Sequence, residues 1–243
     1  MPRFFIAGTN IKGGMAIMRG RDAEHVRVLR MRPGEDMILC DGNGTDYKCR
    51  LVKAEKDEVE AEVIEVVPCP AEPTVSVTVL CGLPKGDKTD YIIQKCVEAG
   101  ACRILFFNCE RCVAKPDDPR KKVERWQRIA EEAAKQSGRG IIPEVDWCGE
   151  YVEALNEAMQ SELAILMYEK GDREPLNAVI EGGKSAKTAA IITGPEGGFA
   201  EYEADMAKVC GIHVCSMGER ILRCETAPVV GVTAVMYATG NLS

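Results

Sequence analysis

The sequence predicts an α/β chain in two parts: a small β-rich domain over residues 1–70, then a larger α/β domain with a mostly parallel sheet over residues 74–243. Three observations carry this. Short apolar runs separated by turn residues fill the first seventy positions. Three prolines in the six residues Pro68-Cys69-Pro70-Ala71-Glu72-Pro73 make a stiff connection. After Pro73, buried-type strands alternate with helical patterns, as a parallel sheet with crossover helices requires.

In the first part, residues 37–40 and 47–54 flank Asp41-Gly42-Asn43-Gly44 as the arms of a hairpin flank its turn. Residues 59–67 alternate apolar and acidic side chains, the pattern of a half-exposed strand. In the second part, residues 75–81, 103–107, 164–168, 188–193 and 212–215 are β-prone apolar runs suited to a buried sheet. Residues 87–99 have helical spacing and stop at Gly100. Asp118-Pro119 opens a helix whose apolar face is Val123, Trp126, Ala130 and Ala133, and Gly138 ends it. Residues 202–210 and 226–238 complete the helices.

Composition excludes several classes. With 46% hydrophobic and 28% charged residues the chain can bury a core and remain in solution. No apolar run approaches the roughly 20 residues that span a bilayer. The opening Met1-Pro2-Arg3-Phe4-Phe5-Ile6 lacks a secretion signal's apolar segment, so a cytoplasmic location is expected. The twelve cysteines then read as small buried hydrophobes, not a disulfide framework. Cys109 and Cys112 form a single Cys-x-x-Cys with no second pair, and His25 and His213 are isolated, so no metal is expected.

The net charge of −7 is unevenly spread. Residues 1–32 carry Arg3, Lys12, Arg19, Arg21, Arg27, Arg30 and Arg32 against Asp22 and Glu24, a local +5. Residues 111–139 carry nine Lys/Arg against five Asp/Glu, a local +4. Such stretches could face RNA, but on charge alone ordinary solvated helix surface is the better reading.

Two loops near the C-terminus hold the chemistry. Thr193-Gly194-Pro195-Glu196-Gly197-Gly198-Phe199 either lets a backbone approach a ligand closely or makes a tight strand-to-helix turn, and it fits neither the dinucleotide fingerprint nor the P-loop. Ser216-Met217-Gly218-Glu219-Arg220-Ile221-Leu222-Arg223-Cys224-Glu225-Thr226-Ala227 gathers arginines, carboxylates and two aliphatics ahead of a helix that Glu225 or Thr226 would cap.

These two motifs resemble those of the bacterial 16S ribosomal RNA uridine-N3 methyltransferases, a family of the knotted SPOUT superfamily. Leu83-Pro84-Lys85-Gly86-Asp87-Lys88 and Gln94-Lys95-Cys96-Val97-Glu98-Ala99-Gly100 resemble that family's first strand, loop and helix. Arg125-Trp126 through Gln136-Ser137-Gly138-Arg139 resembles its signature helix, and His25-Val26-Arg27-Val28-Leu29-Arg30 with Asp41-Gly42 its N-terminal domain. The match is colinear over nearly the whole chain. Ala99, Met217 and Cys224 depart from the family's usual leucine, leucine and threonine, and none removes an essential polar group.

The resemblance implies a C-terminal trefoil knot and an N-terminal β-barrel of the PUA or OB kind. It implies a pocket for S-adenosylmethionine lined by Leu166, Met167 and Tyr168, by Thr193, Gly194, Pro195, Glu196, Gly197 and Gly198, and by Ser216, Met217, Gly218, Ile221, Leu222 and Arg223. Ile221 and Leu222 would pack the adenine. Arg223, then Arg139, would meet the charge that develops on uridine, and Glu225 would accept its proton or orient Arg223. RNA contacts are expected from Arg3, Arg19, Arg27, Arg30, Lys85, Arg125, Gln136 and Arg139. The implied partners are 16S ribosomal RNA or the small subunit and a second copy of the chain. Rival readings are the same chemistry on tRNA or a ribose 2′-hydroxyl, a non-catalytic ribosome-assembly protein, and a cysteine-based metal or redox sensor.

Overall fold

The computed structural model describes residues 1–6, 10–56, 58–114 and 118–242, apart from the side chains of residues 21, 22 and 120. It divides into two compact units. The first is Met1–Glu72 with Ala134–Ile142, and the second is Pro73–Ala133 with Pro143–Ser243. The boundary after Glu72 falls inside the proline-rich connection. A boundary near residue 70 does not anticipate that Ala134–Ile142 packs with the first unit.

In the first unit, β1 (Arg3–Phe5), β2 (Ile11–Lys12), β3 (Met15–Arg19), β4 (Asp36–Cys40), β5 (Thr45–Ala54) and β6 (Glu58–Pro68) form a sheet of order β1-β4-β5-β6-β3-β2. The hairpin arms are β4 and β5, antiparallel, with Met37 opposite Cys49. Two register shifts along β5 and β6 bend the sheet, as bulges do. The expected barrel is therefore a six-stranded sheet whose ends are β1 and β2, with no pairing that closes it among the described residues. Helix α1 (Arg21–Val28) packs on β3, β5 and β6. Its entry is Gly20 at φ 63 with no side-chain cap, so the residues lack the usual capping signal at its start. Phe4, Met18, Val26, Met37, Leu39, Leu51 and Val59 fill the core.

Two buried ion pairs brace this unit. Arg3 forks onto Asp46 at 2.7 and 2.6 Å, and Asp46 is buried. Arg139 is 2% exposed and grips Glu72 at 2.7 Å, while Glu72 also accepts from the Gly140 and Ile141 N–H groups. Both guanidiniums are thus committed to carboxylates inside the protein, which corrects the expectation that they face RNA.

The second unit is a seven-stranded sheet of order β11-β13-β10-β12-β7-β8-β9, and every pairing in it is parallel. Its strands are β7 (Ser76–Gly82), β8 (Arg103–Asn108), β9 (Glu144–Glu150), β10 (Leu163–Met167), β11 (Glu174–Pro175), β12 (Thr188–Thr193) and β13 (His213–Ser216). All five residues of β10 are buried, as a strand covered on both faces demands. Each large aliphatic buried there contributes roughly 1.5–3 kcal/mol. The helices are α2 (Lys88–Glu98), α3 (Pro119–Ser137), α4 (Tyr151–Ala158), α5 (Leu176–Gly182), α6 (Glu201–Val209) and α7 (Ala227–Ala238). Helix α7 is apolar all round and packs on β7, β12, α2 and α5. No helix among the described residues is long and apolar enough to cross a membrane.

Glu72→Ala should strand the buried Arg139 charge and destabilise the protein by about 3 kcal/mol, the usual scale for breaking a buried pair. Urea unfolding measures it. A loss under about 1 kcal/mol would show that solvent reaches and compensates the guanidinium.

Candidate functional site

Three neighbouring strands, β13, β10 and β12, are parallel, so the loops that follow them leave the same edge of the sheet. Ligands in parallel α/β sheets settle at that carboxyl edge. Here the three loops enclose a cavity of about 610 Å³ in the second unit. From β10 come Met167, Tyr168, Glu169 and Lys170, and from β12 come Thr193 and the glycine loop to Phe199. From β13 come Ser216, Met217, Gly218 and the stretch from Arg220 to Cys224.

Fourteen of the fifteen residues named from the resemblance line this cavity; the exception is Leu166, whose side chain is wholly buried in the sheet. Met167 ends β10 and Tyr168 follows it, so both stand at the carboxyl edge of the sheet, whereas Leu166 lies one residue further inside the strand. Glu225 stands beside the cavity through its contact with Lys88. Thr226 takes the cap position of α7 but makes no side-chain capping bond. Arg139 belongs to the first unit, held by Glu72.

The glycine loop is shaped by close backbone approach. Gly198 has φ +64, and a Cβ there would lie 2.8 Å from a Glu169 carboxylate oxygen. A Cβ on Gly197 would lie 2.9 Å from Arg111 Cβ, and Arg111 Nη1 donates to the Gly197 carbonyl at 3.0 Å. A turn bond from Gly198 N–H to the Pro195 carbonyl, 2.9 Å, closes the loop. Arg111 in turn sits in the Cys109–Cys112 turn, where Glu203, a buried carboxylate on α6, accepts from Glu110 N–H at 2.9 Å and Ala200 N–H at 2.8 Å.

Electrostatics on the opposite rim centre on Lys88. Its ammonium is 2.9 Å from Glu196 and 3.5 Å from Glu225, and donates to Cys224 Sγ at 3.6 Å. The hydrogen bond with Glu196 pushes the Lys88 ammonium up to about 12. For Glu196, partial burial pushes its carboxyl upward, but Lys88 and the backbone N–H groups of Glu196 and Lys85 outweigh it and hold the group below the ordinary glutamate value. Glu225 is held low chiefly by its own N–H, against partial burial, with the Cys224 thiol and Lys88 adding to it. Burial, then the bond to Glu225, pushes the Cys224 thiol up to about 11.

Residue-type reasoning assigned no role to Lys88, Arg111 or Lys170. One signal was available for Lys88: a cation opening a helix stands against the helix dipole, which calls for nearby carboxylates. Cys109 and Cys112 are buried with their sulfurs 3.5 Å apart, and among the described residues no group of three His, Cys, Asp or Glu is placed to hold a metal.

A family model for an RNA methyltransferase domain matches residues 70–236, and one for an RNA methyltransferase PUA domain matches residues 19–64. The chain belongs to this RNA methyltransferase family. Ribosomal RNA small subunit methyltransferase E of Bacillus subtilis is 36% identical over 227 residues, covering 90% of this chain and 89% of that protein. The protein of the same name from Synechocystis is 34% identical over 212 residues, or 86% and 68%. A crystal structure of a Ribosomal RNA small subunit methyltransferase E from Neisseria gonorrhoeae, bound to S-adenosyl methionine, is 31% identical with a TM-score of 0.84, covering 98% of this chain and 97% of that one. Membership gives the cavity a context: in an RNA methyltransferase the methyl donor and the target base must meet at one site, and the cavity is bounded by both motif loops.

Both rim carboxylates titrate below the ordinary glutamate value of 4.5. The stability they contribute is therefore complete above that value and lost as the pH falls below it through their folded-state values. The thermal midpoint should drop as the pH falls below 4.5, and Glu196→Gln should flatten part of that drop. Parallel declines in both proteins would show that Glu196 contributes nothing.

Proposed function

We propose that this chain transfers a methyl group from S-adenosylmethionine to N3 of a uridine in 16S ribosomal RNA of the small subunit. The observation that carries the reading is the cavity itself, built by three loops at the carboxyl edge of a parallel sheet in a member of the RNA methyltransferase family. Its volume of about 610 Å³ suits a ligand of that size. Its glycine loop admits a backbone approach that a Cβ would block, and Glu169 and Glu196 set carboxylates on the wall to complement a cationic donor. Two relatives carry the small-subunit methyltransferase name, and a solved relative holds S-adenosyl methionine.

When bound, S-adenosylmethionine supplies a methyl on a positively charged sulfur that departs as a neutral thioether. The residues of the chain align the partners and meet charge. Uridine N3 is buried in a Watson–Crick pair, so the base enters unpaired or flipped. Arg223 is exposed at the rim, and its backbone is fixed by bonds from Thr226 and Ala227 N–H to its carbonyl at 2.9 and 3.0 Å. Its guanidinium meets the charge that gathers on uridine O2 or O4 as the N3 proton passes to water. Glu225 is held by Lys88 and Cys224 and kept ionised, a poor match to so weak an acid as N3–H. Its part is to hold the Arg223 loop, not to take the proton.

RNA is gripped by Arg19, Arg27 and Arg30 on the first unit and by Lys85, Arg125 and Gln136, all exposed. Arg19 pairs with Glu58 and Arg125 with Asp90, both solvent-exposed pairs that can exchange carboxylate for phosphate at little cost. The side chain of Arg21, counted in the basic opening stretch, lies outside the described residues. The C-terminal segment carrying β13 and α7 threads as a trefoil knot. The enzyme works in the cytoplasm as a homodimer, whose second copy covers apolar groups such as Ile221, 83% exposed, and Tyr237, 77% exposed.

Radiolabelled S-adenosylmethionine with unmodified small subunits should give label in 3-methyluridine. Label in another nucleoside would reject the target, and cofactor binding without any label would favour a non-catalytic assembly protein. Gly197→Val should abolish cofactor binding by calorimetry, since the new methyls meet Arg111; unchanged affinity would remove the loop from the site. Arg223→Ala should lower turnover about a hundredfold, the scale for losing one charge-stabilising group, while cofactor still binds. Near-normal turnover would reject its assignment.

A further inference from the structure

We propose that Lys88 is a positioning residue for the methyl-transfer site, clamping the glycine loop to the loop before α7 through Glu196 and Glu225; this rests on the methyltransferase reading. Three segments far apart in sequence converge on one ammonium. Lys88 is the first residue of α2, Glu196 lies in the loop after β12, and Cys224 and Glu225 lie just before α7.

The placement is electrostatically costly without its partners. The N-terminus of a helix already presents positive charge, so a lysine there is disfavoured unless carboxylates answer it. Glu196 does so twice, accepting from Lys88 Nζ at 2.9 Å and from Lys85 N–H at 3.1 Å with the same oxygen. The grip therefore includes the turn that leads into α2. Conversely, two carboxylates aim at one point, and removing the ammonium leaves like charges facing each other.

Isolated exposed ion pairs contribute little, but this one is a half-buried network with several partners. Ile221, Leu222 and Arg223 sit on the segment that Glu225 anchors, and Gly197 and Gly198 follow Glu196 directly. A displacement of about 1 Å in either loop is enough to cost on the order of a hundredfold in rate. The charge of Lys88 is consumed by its two carboxylates, so its part is to hold the loops and not to meet the substrate's charge.

The test uses Lys88→Met, Lys88→Arg and the double variant Lys88→Met with Glu196→Gln. Hydrogen exchange of the cofactor-free protein should quicken in residues 194–198 and 218–226 together in Lys88→Met, and stay near wild type in Lys88→Arg. Affinity for S-adenosylmethionine by calorimetry should fall about tenfold in Lys88→Met, below the loss for a fully buried charge pair. The double variant should recover part of that loss, because only one carboxylate remains. Unchanged exchange in the two loops would overturn the clamp, as would a uniform loss of protection across the whole unit. Loosened loops with unaltered cofactor affinity would overturn its positioning role. A wild-type protein that binds no S-adenosylmethionine would reject the methyltransferase reading, while the exchange result would still decide the clamp.

Discussion

The pocket depends on where β12 runs. It lies between β10 and β7, bonded to both in parallel register, with Ile191 opposite Ile165 on one side and Val79 on the other. A central parallel strand must be apolar on both faces, and five of its six residues are buried. Its parallel pairing with both neighbours gives its direction, and direction fixes where the glycine loop begins. Had β12 paired antiparallel to β10, its loop would leave the opposite edge and could not meet the loop after β13. The geometry of the cavity is thus a consequence of strand direction in the sheet.

In the proposed function, the rim is a compromise between attracting a cationic donor and holding itself together. Glu169 and Glu196 make the wall acidic, yet uncompensated carboxylates would repel one another. The cations differ in what they are given to do. Lys88 is bound by two carboxylates, Arg111 by the carbonyl of Gly197, and Arg173 by the carbonyl of Glu169. Arg223 stands exposed on the same wall. In the proposed reaction Arg223 meets charge that appears only in the transition state, and such a group should not be neutralised beforehand.

The sequence was most legible where one physical rule acted alone. Strands β7, β8, β10 and β12 announce themselves as apolar runs, and α3 by Pro119 at its start and Gly138 after its end. Helix α1 was not legible, because Gly20 enters it at positive φ without a capping side chain and its arginines read as surface charge. Strand β9 and helix α4 were missed because Trp147-Cys148-Gly149 interrupts the apolar alternation. The start of α4 is set by a reciprocal bond, Glu153 carboxylate to Glu150 N–H at 3.1 Å, rather than by a serine, threonine or aspartate. Both motif loops line the cavity, while Lys88 and Arg111 needed three dimensions: each touches a loop distant from it in sequence.

Charge counting shows the same limit from another side. Arg3 and Arg27 contribute equally to the +5 of the opening stretch, yet one is folded onto Asp46 inside the sheet and the other stands in solvent. Only the second kind can release a counterion from a phosphate, so affinity for RNA follows the number of exposed cations and not the local sum. A buried arginine does different work. Arg3 and Arg139 each satisfy a carboxylate that would otherwise be stranded, and Glu72 spends its remaining capacity on the Gly140 and Ile141 N–H groups. An arginine buried with one acid leaves the net charge of the remaining surface unchanged, so a basic patch on this acidic chain depends on where its exposed cations lie.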